Sequence, residues 1–165
     1  MSSNIQNTVH IALKMTEIKN ITTDEPQYQA MRELRNRVLL RPLGIPDHSW
    51  EMHDHRSWHF VALEGDEVVG CAVLVPSDND EGMAQLIQMA VDPDIQGKGT
   101  GKLLLREVIR FAAARELKEI RCHSRQYAVR FYEKSGFVTY GSTFTEVGIP
   151  HRYMKLKLDR WTSEK

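Results

Sequence analysis

Three glycines and two lysines occupy the six positions from Gly97 to Lys102, directly after Gln96 and before a run of leucines. Glycines let successive backbone N–H groups converge on an anion without Cβ interference, and a helix that follows adds its unpaired first-turn N–H groups. The chemistry open to this segment is phosphate holding. A Walker loop is excluded, because Gln96 stands where its first glycine belongs and Leu103 follows Lys102 where Ser or Thr is needed. A dinucleotide fingerprint is excluded too: counted from Gly97 its third glycine falls on Lys102, and counted from Gly99 it falls on Leu104. Spacing alone therefore reads as a pyrophosphate site without naming the carrier, against the plain alternative of a surface turn at a helix entry.

A second concentration of chemical groups is "EMHDHRSWHF", with His53, His55 and His59 beside Glu51 and Asp54. In an extended segment, His-x-His spacing puts both rings on one side, but sequence fixes no third ligand for a metal. The segment is left as a wall of a binding site or a polar loop.

These groups need a scaffold. "IALKMTEIKN" alternates loosely as a first strand, and "DEPQYQAMRELRNRVLL" carries Tyr28, Met31, Leu34 and Val38 at helical spacing, with Asp24 as its expected cap. "WHFVALEGDEVVGCAVLVP" reads as a hairpin turning at Gly65 and Asp66. "MAQLIQMAVD" is a strand that runs into the glycine loop, and an amphipathic helix begins at Thr100. "EIRCH" resumes a strand, "QYAVRFYEKSG" is a short helix stopped by Gly136, and "FVTYGSTF" and "RYMKLKL" are closing strands. The expected product is a mixed α/β sheet with helices on its faces.

Composition narrows the field. The 22 basic and 22 acidic residues cancel, so no global field calls for nucleic acid or a membrane surface. Cys71 and Cys122 sit in apolar segments without metal-ligand spacing, which reads as core packing in a reducing compartment. No signal-like start and no membrane-length apolar run is present, so a cytoplasmic location is expected.

"MAVDPDIQGKGTGKLLLREVIRFA", followed by "AVRFYEKSGF", resembles the GNAT superfamily of N-acetyltransferases, whose Gln/Arg-x-x-Gly-x-Gly/Ala signature falls on Gln96, Gly99 and Gly101. "LRNRV", "QMAV", "FYEKSGF" and "VGIPHRYM" further resemble an ElaA-like branch, whose members often carry Val-Glu-Gln where this chain has "LLRPLGIP". The resemblance implies one GNAT domain over residues 1–165, with a mixed, mostly antiparallel sheet of about six to seven strands and helices on both faces.

It also implies acetyl transfer from acetyl-CoA to a small-molecule or peptide amine by direct attack, with no metal and with the family's frequent pairing into homodimers. Gln96, Gly97, Lys98, Gly99, Thr100, Gly101 and Lys102 would hold the pyrophosphate, and the backbone at Met89, Ala90 and Val91 the pantetheine arm and the acyl carbonyl. Tyr132 takes the place of the acid that protonates sulfur, with core packing as its other reading; Arg125 is either a coenzyme contact or a solvated arginine. A lysine-like amine is protonated at pH 7, which withholds about 4.6 kcal/mol unless a base compensates. The family's Glu on the strand before the loop is missing, since Ile87 and Gln88 stand there, so His123 and His151 are the candidate bases. Arg35, Glu51 and His53 are candidate acceptor contacts, Arg35 alternatively pairing across its own helix. Without a base the same fold would serve as an acyl-CoA-binding sensor.

Overall fold

The computed structural model describes residues 15–158. The four strands before the glycine loop are β1 (Thr16–Ile21), β2 (Trp58–Glu64), β3 (Glu67–Pro76) and β4 (Met83–Val91); β5 (Glu119–Arg125), β6 (Val138–Glu146) and β7 (Ile149–Lys157) come after it. They form one sheet in the order β1-β2-β3-β4-β5-β7-β6, antiparallel throughout except where β4 and β5 run parallel. A parallel pair needs a crossover, and helix α2 (Thr100–Ala114) supplies it. The β2–β3 hairpin turns at Gly65 with φ +62°, as the sequence demands. Residues 11–14 of the expected first strand lie outside the described residues.

Alternation along the strands makes two apolar faces. On one, Leu104, Leu105, Val108, Ile109 and Ala112 of α2 lock onto Phe60, Ala72, Leu74, Leu86, Ile120 and Met154. Burial of a leucine there stabilises by roughly 2 kcal/mol. Gly70 lets the helix close in, for a Cβ at that position would stand 3.0 Å from Leu104 Cδ1. Helix α3 (Val129–Glu133) packs on this same face through Val129, Phe131 and Tyr132. The other face, with Val61, Leu63, Cys71 and Val73, is covered by helix α1 (Gln27–Arg35) through Met31 and Leu34.

Two local expectations change. Helix α1 starts at Gln27 with Pro26 at its N-cap, so Asp24 lies too early to cap it; the neighbouring Glu25 carboxylate accepts instead from the Thr22 N–H at 2.7 Å. The expected single helix also ends at Arg35 and continues as a wider π-helical turn over Asn36–Leu40. The extra residue per turn shifts the inward face, so Leu40, not Val38, takes the next buried position. It also allows Arg35 and Asn36, neighbours in sequence, to be buried together.

Candidate active site

The parallel pairing of β4 with β5 is short, running only from Met83 opposite Glu119 to Leu86 opposite Cys122. Beyond that point the strands part. One cause is a bulge: Cys71 faces Ala90 and Val73 faces Ile87, so Gln88 and Met89 occupy the space of one residue. Gln88 takes φ +50° there, and its side-chain amide donates to the Trp50 carbonyl at 2.7 Å. The result is a gap whose β4 wall is Ile87 to Val91, with the side of β4 toward β5 freed from the sheet. The expected backbone positions at Met89, Ala90 and Val91 lie on that wall.

The glycine loop opens directly past this wall. Gly97 and Gly99 stand at φ +86° and +85°, with open space around a Cβ at either position, and Gly99 is the N-cap of α2. Thr100 is buried, while Lys98 and Lys102 are exposed and form no ion pair among the described residues. The Gln96 side-chain amide donates to the Val91 carbonyl at 3.1 Å, tying the loop to the end of β4. Behind the loop a cleft of about 700 Å3 lies between α2, the turn after α3 and β7, and among the described residues Lys102, Arg106, Lys134, Lys155 and Lys157 line it with no carboxylate beside them. Unpaired amides, a helix N-terminus and five nearby cations make this end of the molecule suited to a polyanion.

Tyr132 closes the gap from the side of α3. Its hydroxyl lies 3.8 Å from Met89 Sδ, across the opening, and Phe131 and Phe137 pack edge-on against its ring. Burial pushes this phenol well above its ordinary value of 10.0. An ordinary phenol and an aliphatic thiol hold their protons about equally well, and raising the phenol alone would upset that balance. A thiol in the same interior moves in the same direction: burial pushes Cys122 up to about 12. Acid and leaving group are thus raised together. Arg125, at the end of β5, is half-buried and donates to Tyr127 Oη at 3.1 Å.

On the α1 side of the sheet, just past the last β4–β5 pair, stands His123. Its Nδ1 lies 2.9 Å from Glu146 Oε1, and the other carboxylate oxygen lies 3.7 Å from Nε2 of His151. Both candidate bases thus meet one carboxylate. Phe144 and Tyr153 stack at 4.0 Å and wall this cluster.

A family model described as the acetyltransferase (GNAT) domain matches residues 44–158. The chain belongs to the GNAT acetyltransferase family. Among solved structures it superposes on Escherichia coli ElaA with a TM-score of 0.78 at 22% identity, over 86% of this chain and 99% of that one. An acyl-CoA N-acyltransferase from Pseudomonas aeruginosa gives 0.77 at 18% identity over 86% and 99%. The ribosomal-protein-S18-alanine N-acetyltransferase of Escherichia coli gives 0.71 at 21%, over 87% and 94%. The seven-stranded mixed sheet with helices on both faces is the GNAT fold that these neighbours share.

The remaining GNAT candidates lie at the end of α1 and in the segment between it and β2. Arg35 is 2% exposed and holds both oxygens of Asp54, at 3.0 and 3.3 Å, so its guanidinium is committed across to the loop and not along its own helix. Tyr28 donates to the same carboxylate. Glu51 accepts two hydrogen bonds from Arg32, both 3.0 Å, and lies 2.9 Å from His48 Nδ1. Burial works to raise its carboxyl, but those bonds and Arg35 outweigh it and hold Glu51 below the usual carboxylate range.

His53 stands at the N-cap of a 3-10 turn over Asp54–Arg56 and His55 lies within it, so the extended geometry assumed for His-x-His is not formed; His53 is exposed, and His59 is buried with Nε2 2.7 Å from the Asp54 carbonyl. No group of three His, Cys, Asp or Glu among the described residues is disposed to hold a metal. Sequence reasoning missed Glu146, Gln88, Arg32 and the basic cleft. Each acts through a partner far along the chain; Glu146 lies two residues past the expected end of its strand and is paired opposite Ile149, so nothing local in the sequence pointed to its meeting His123 and His151.

Proposed function

We propose that the protein transfers an acetyl group from acetyl-CoA to an amine by direct attack. The observation that carries this reading is the early parting of β4 and β5, with the glycine loop at one end of the gap and the Tyr132 hydroxyl at its mouth. Acetyl-CoA supplies an activated acyl thioester and a thiol leaving group. The first-turn amides of α2 and the loop from Gln96 to Lys102 hold its pyrophosphate, and the freed backbone of Met89 to Val91 holds its arm and polarises the carbonyl. The cleft behind Lys102 has the charge to take the third phosphate of the coenzyme. Tyr132 gives its proton to the departing sulfur. His123 or His151 relieves the amine of its own.

Direct attack is favoured over a covalent enzyme intermediate because both cysteines are buried and burial pushes each thiol up to about 12, leaving negligible thiolate at neutral pH. The acceptor approaches from the α1 side, between the segment that carries Glu51 and His53 and the cluster around His123.

Thiol release with acetyl-CoA over a broad amine panel tests the proposal, run on wild type and Tyr132→Phe. The reading requires release with at least one amine, and a kcat loss of about 10²-fold or more in Tyr132→Phe. Tight coenzyme binding without release from any amine would instead assign a sensor, and displacement of acetyl-CoA by ATP or NAD at equal concentration would point to a nucleotide site.

A further inference from the structure

We infer that Glu146 is a positioning residue for the proton transfer, selecting His123 over His151 as the group that takes the proton from the amine. The inference rests on the acetyl-transfer reading above. Cys122 is the last β5 residue paired with β4 and its side chain belongs to the α2-side core, so His123 is the first residue in the gap and faces the α1 side. That is where an acceptor nitrogen must stand to reach a thioester lying between the strands.

The two imidazoles are set differently by their partners. A carboxylate only accepts hydrogen bonds, so the 2.9 Å approach of Glu146 Oε1 places the proton of neutral His123 on Nδ1. Its lone pair is then on Nε2, which meets no hydrogen-bond partner among the described residues. His151 has Nδ1 2.7 Å from the Ile149 carbonyl, also an acceptor only, so its neutral lone pair is likewise on Nε2. That nitrogen, however, faces the second oxygen of Glu146 at 3.7 Å in a ring only 4% exposed. One carboxylate leaves His123 open to an amine and shuts His151 behind it.

The β6–β7 turn holds Glu146 in place. Val147 and Gly148 take φ +46° and +74°, the two positive values of a tight hairpin turn, and fix Glu146 opposite Ile149. A β-branched residue enters that conformation at a cost, so the turn is held by the strands around it. Phe144 and Tyr153 present their faces to the His123 ring edge-on at 5.3 and 5.1 Å and limit its rotation.

During transfer the ammonium gives up two protons. One passes to Nε2 of His123, where the imidazolium formed is neutralised by Glu146, and then to water. The nitrogen pair so freed forms the C–N bond as the C–S bond breaks. The sulfur takes the proton of Tyr132, and the second amine proton, lost to solvent, balances the one that solvent returns to the phenolate.

The test is a double-mutant cycle on kcat with Glu146→Gln, His123→Gln and the pair, after circular dichroism confirms that all are folded. Both side chains are more than a third exposed, so the substitutions leave the fold intact. Glu146→Gln should lower kcat about tenfold to 10²-fold with the amine KM changed less than about twofold, and should cost nothing further when His123 is already Gln. An equal loss in both backgrounds, or a loss confined to KM, would overturn the assignment. Nitrogen NMR of the imidazoles, without coenzyme, gives a readout independent of turnover: His123 should carry its neutral proton on Nδ1 and move toward the Nε2–H form in Glu146→Leu. An Nε2–H tautomer in wild type would refute the positioning role, whereas thiol release absent with every amine would refute acetyl transfer and leave the tautomer result standing.

Discussion

The two ends of the gap between β4 and β5 are built by opposite means. At the proposed coenzyme end, seven consecutive residues and the start of one helix would make the site, and the groups that would bind are mostly backbone amides. At the proposed acceptor end, no two of the paired groups are neighbours in sequence: Arg35 meets Asp54, Gln88 meets Trp50, and His123 meets Glu146. A site of backbone amides is insensitive to which side chains surround it. A site of long-range side-chain pairs can change its acceptor whenever one partner changes. One fold can thus keep a single acyl donor and vary the amine.

The difference can be broken most forcefully at the buried ion pair. Arg35→Ala leaves Asp54 buried without its cation and should lower unfolding free energy by about 3–5 kcal/mol in chemical denaturation. A loss under about 1 kcal/mol would mean that water replaces the guanidinium and that the segment before β2 is not held by it. At the other end, Gly99→Ala adds a methyl group into open space but at φ +85°. It should cost only about 1–2 kcal/mol of stability while weakening acetyl-CoA by tenfold or more in calorimetry. Equal damage to stability at both ends would erase the contrast.

The basic cleft sharpens the coenzyme end further. Dephospho-CoA, which lacks the third phosphate, should bind about tenfold more weakly than CoA, and Lys134→Ala should remove most of that preference without altering dephospho-CoA binding. A last effect, seen only at alkaline pH, concerns the core between the two ends. The Cys71 thiol is pushed up by burial from 9.0 to about 12, so above about pH 9 the unfolded chain gives up a proton that the folded chain keeps. Stability should therefore fall as pH rises from about 9 to 12, and Cys71→Ala should flatten that fall in denaturant titrations.

How much of this was legible in the sequence follows from the same contrast. The glycine loop, α2 and the β2–β3 hairpin could be read because their determinants are local: turn glycines, apolar residues at helical spacing, and alternation. Asp24 misled because a cap is decided by where Pro26 lets the helix begin, and the π turn after Arg35 was hidden because a widened turn preserves helical composition. His123 and His151 could be singled out by residue type, but the carboxylate that joins them lies 23 positions from one and across a strand turn from the other. Periodicity reports which face a residue takes. It does not report which residue on another strand stands opposite.

The gap itself is tested most directly by amide hydrogen exchange with and without saturating acetyl-CoA. Protection should rise at residues 87–91 of β4 and 97–102 of the loop and first turn of α2, with residues 44–57 nearly unchanged until an acceptor is added. Protection absent from both β4 and the loop at saturation would contradict the account, because the coenzyme would then lie somewhere other than between the parted strands.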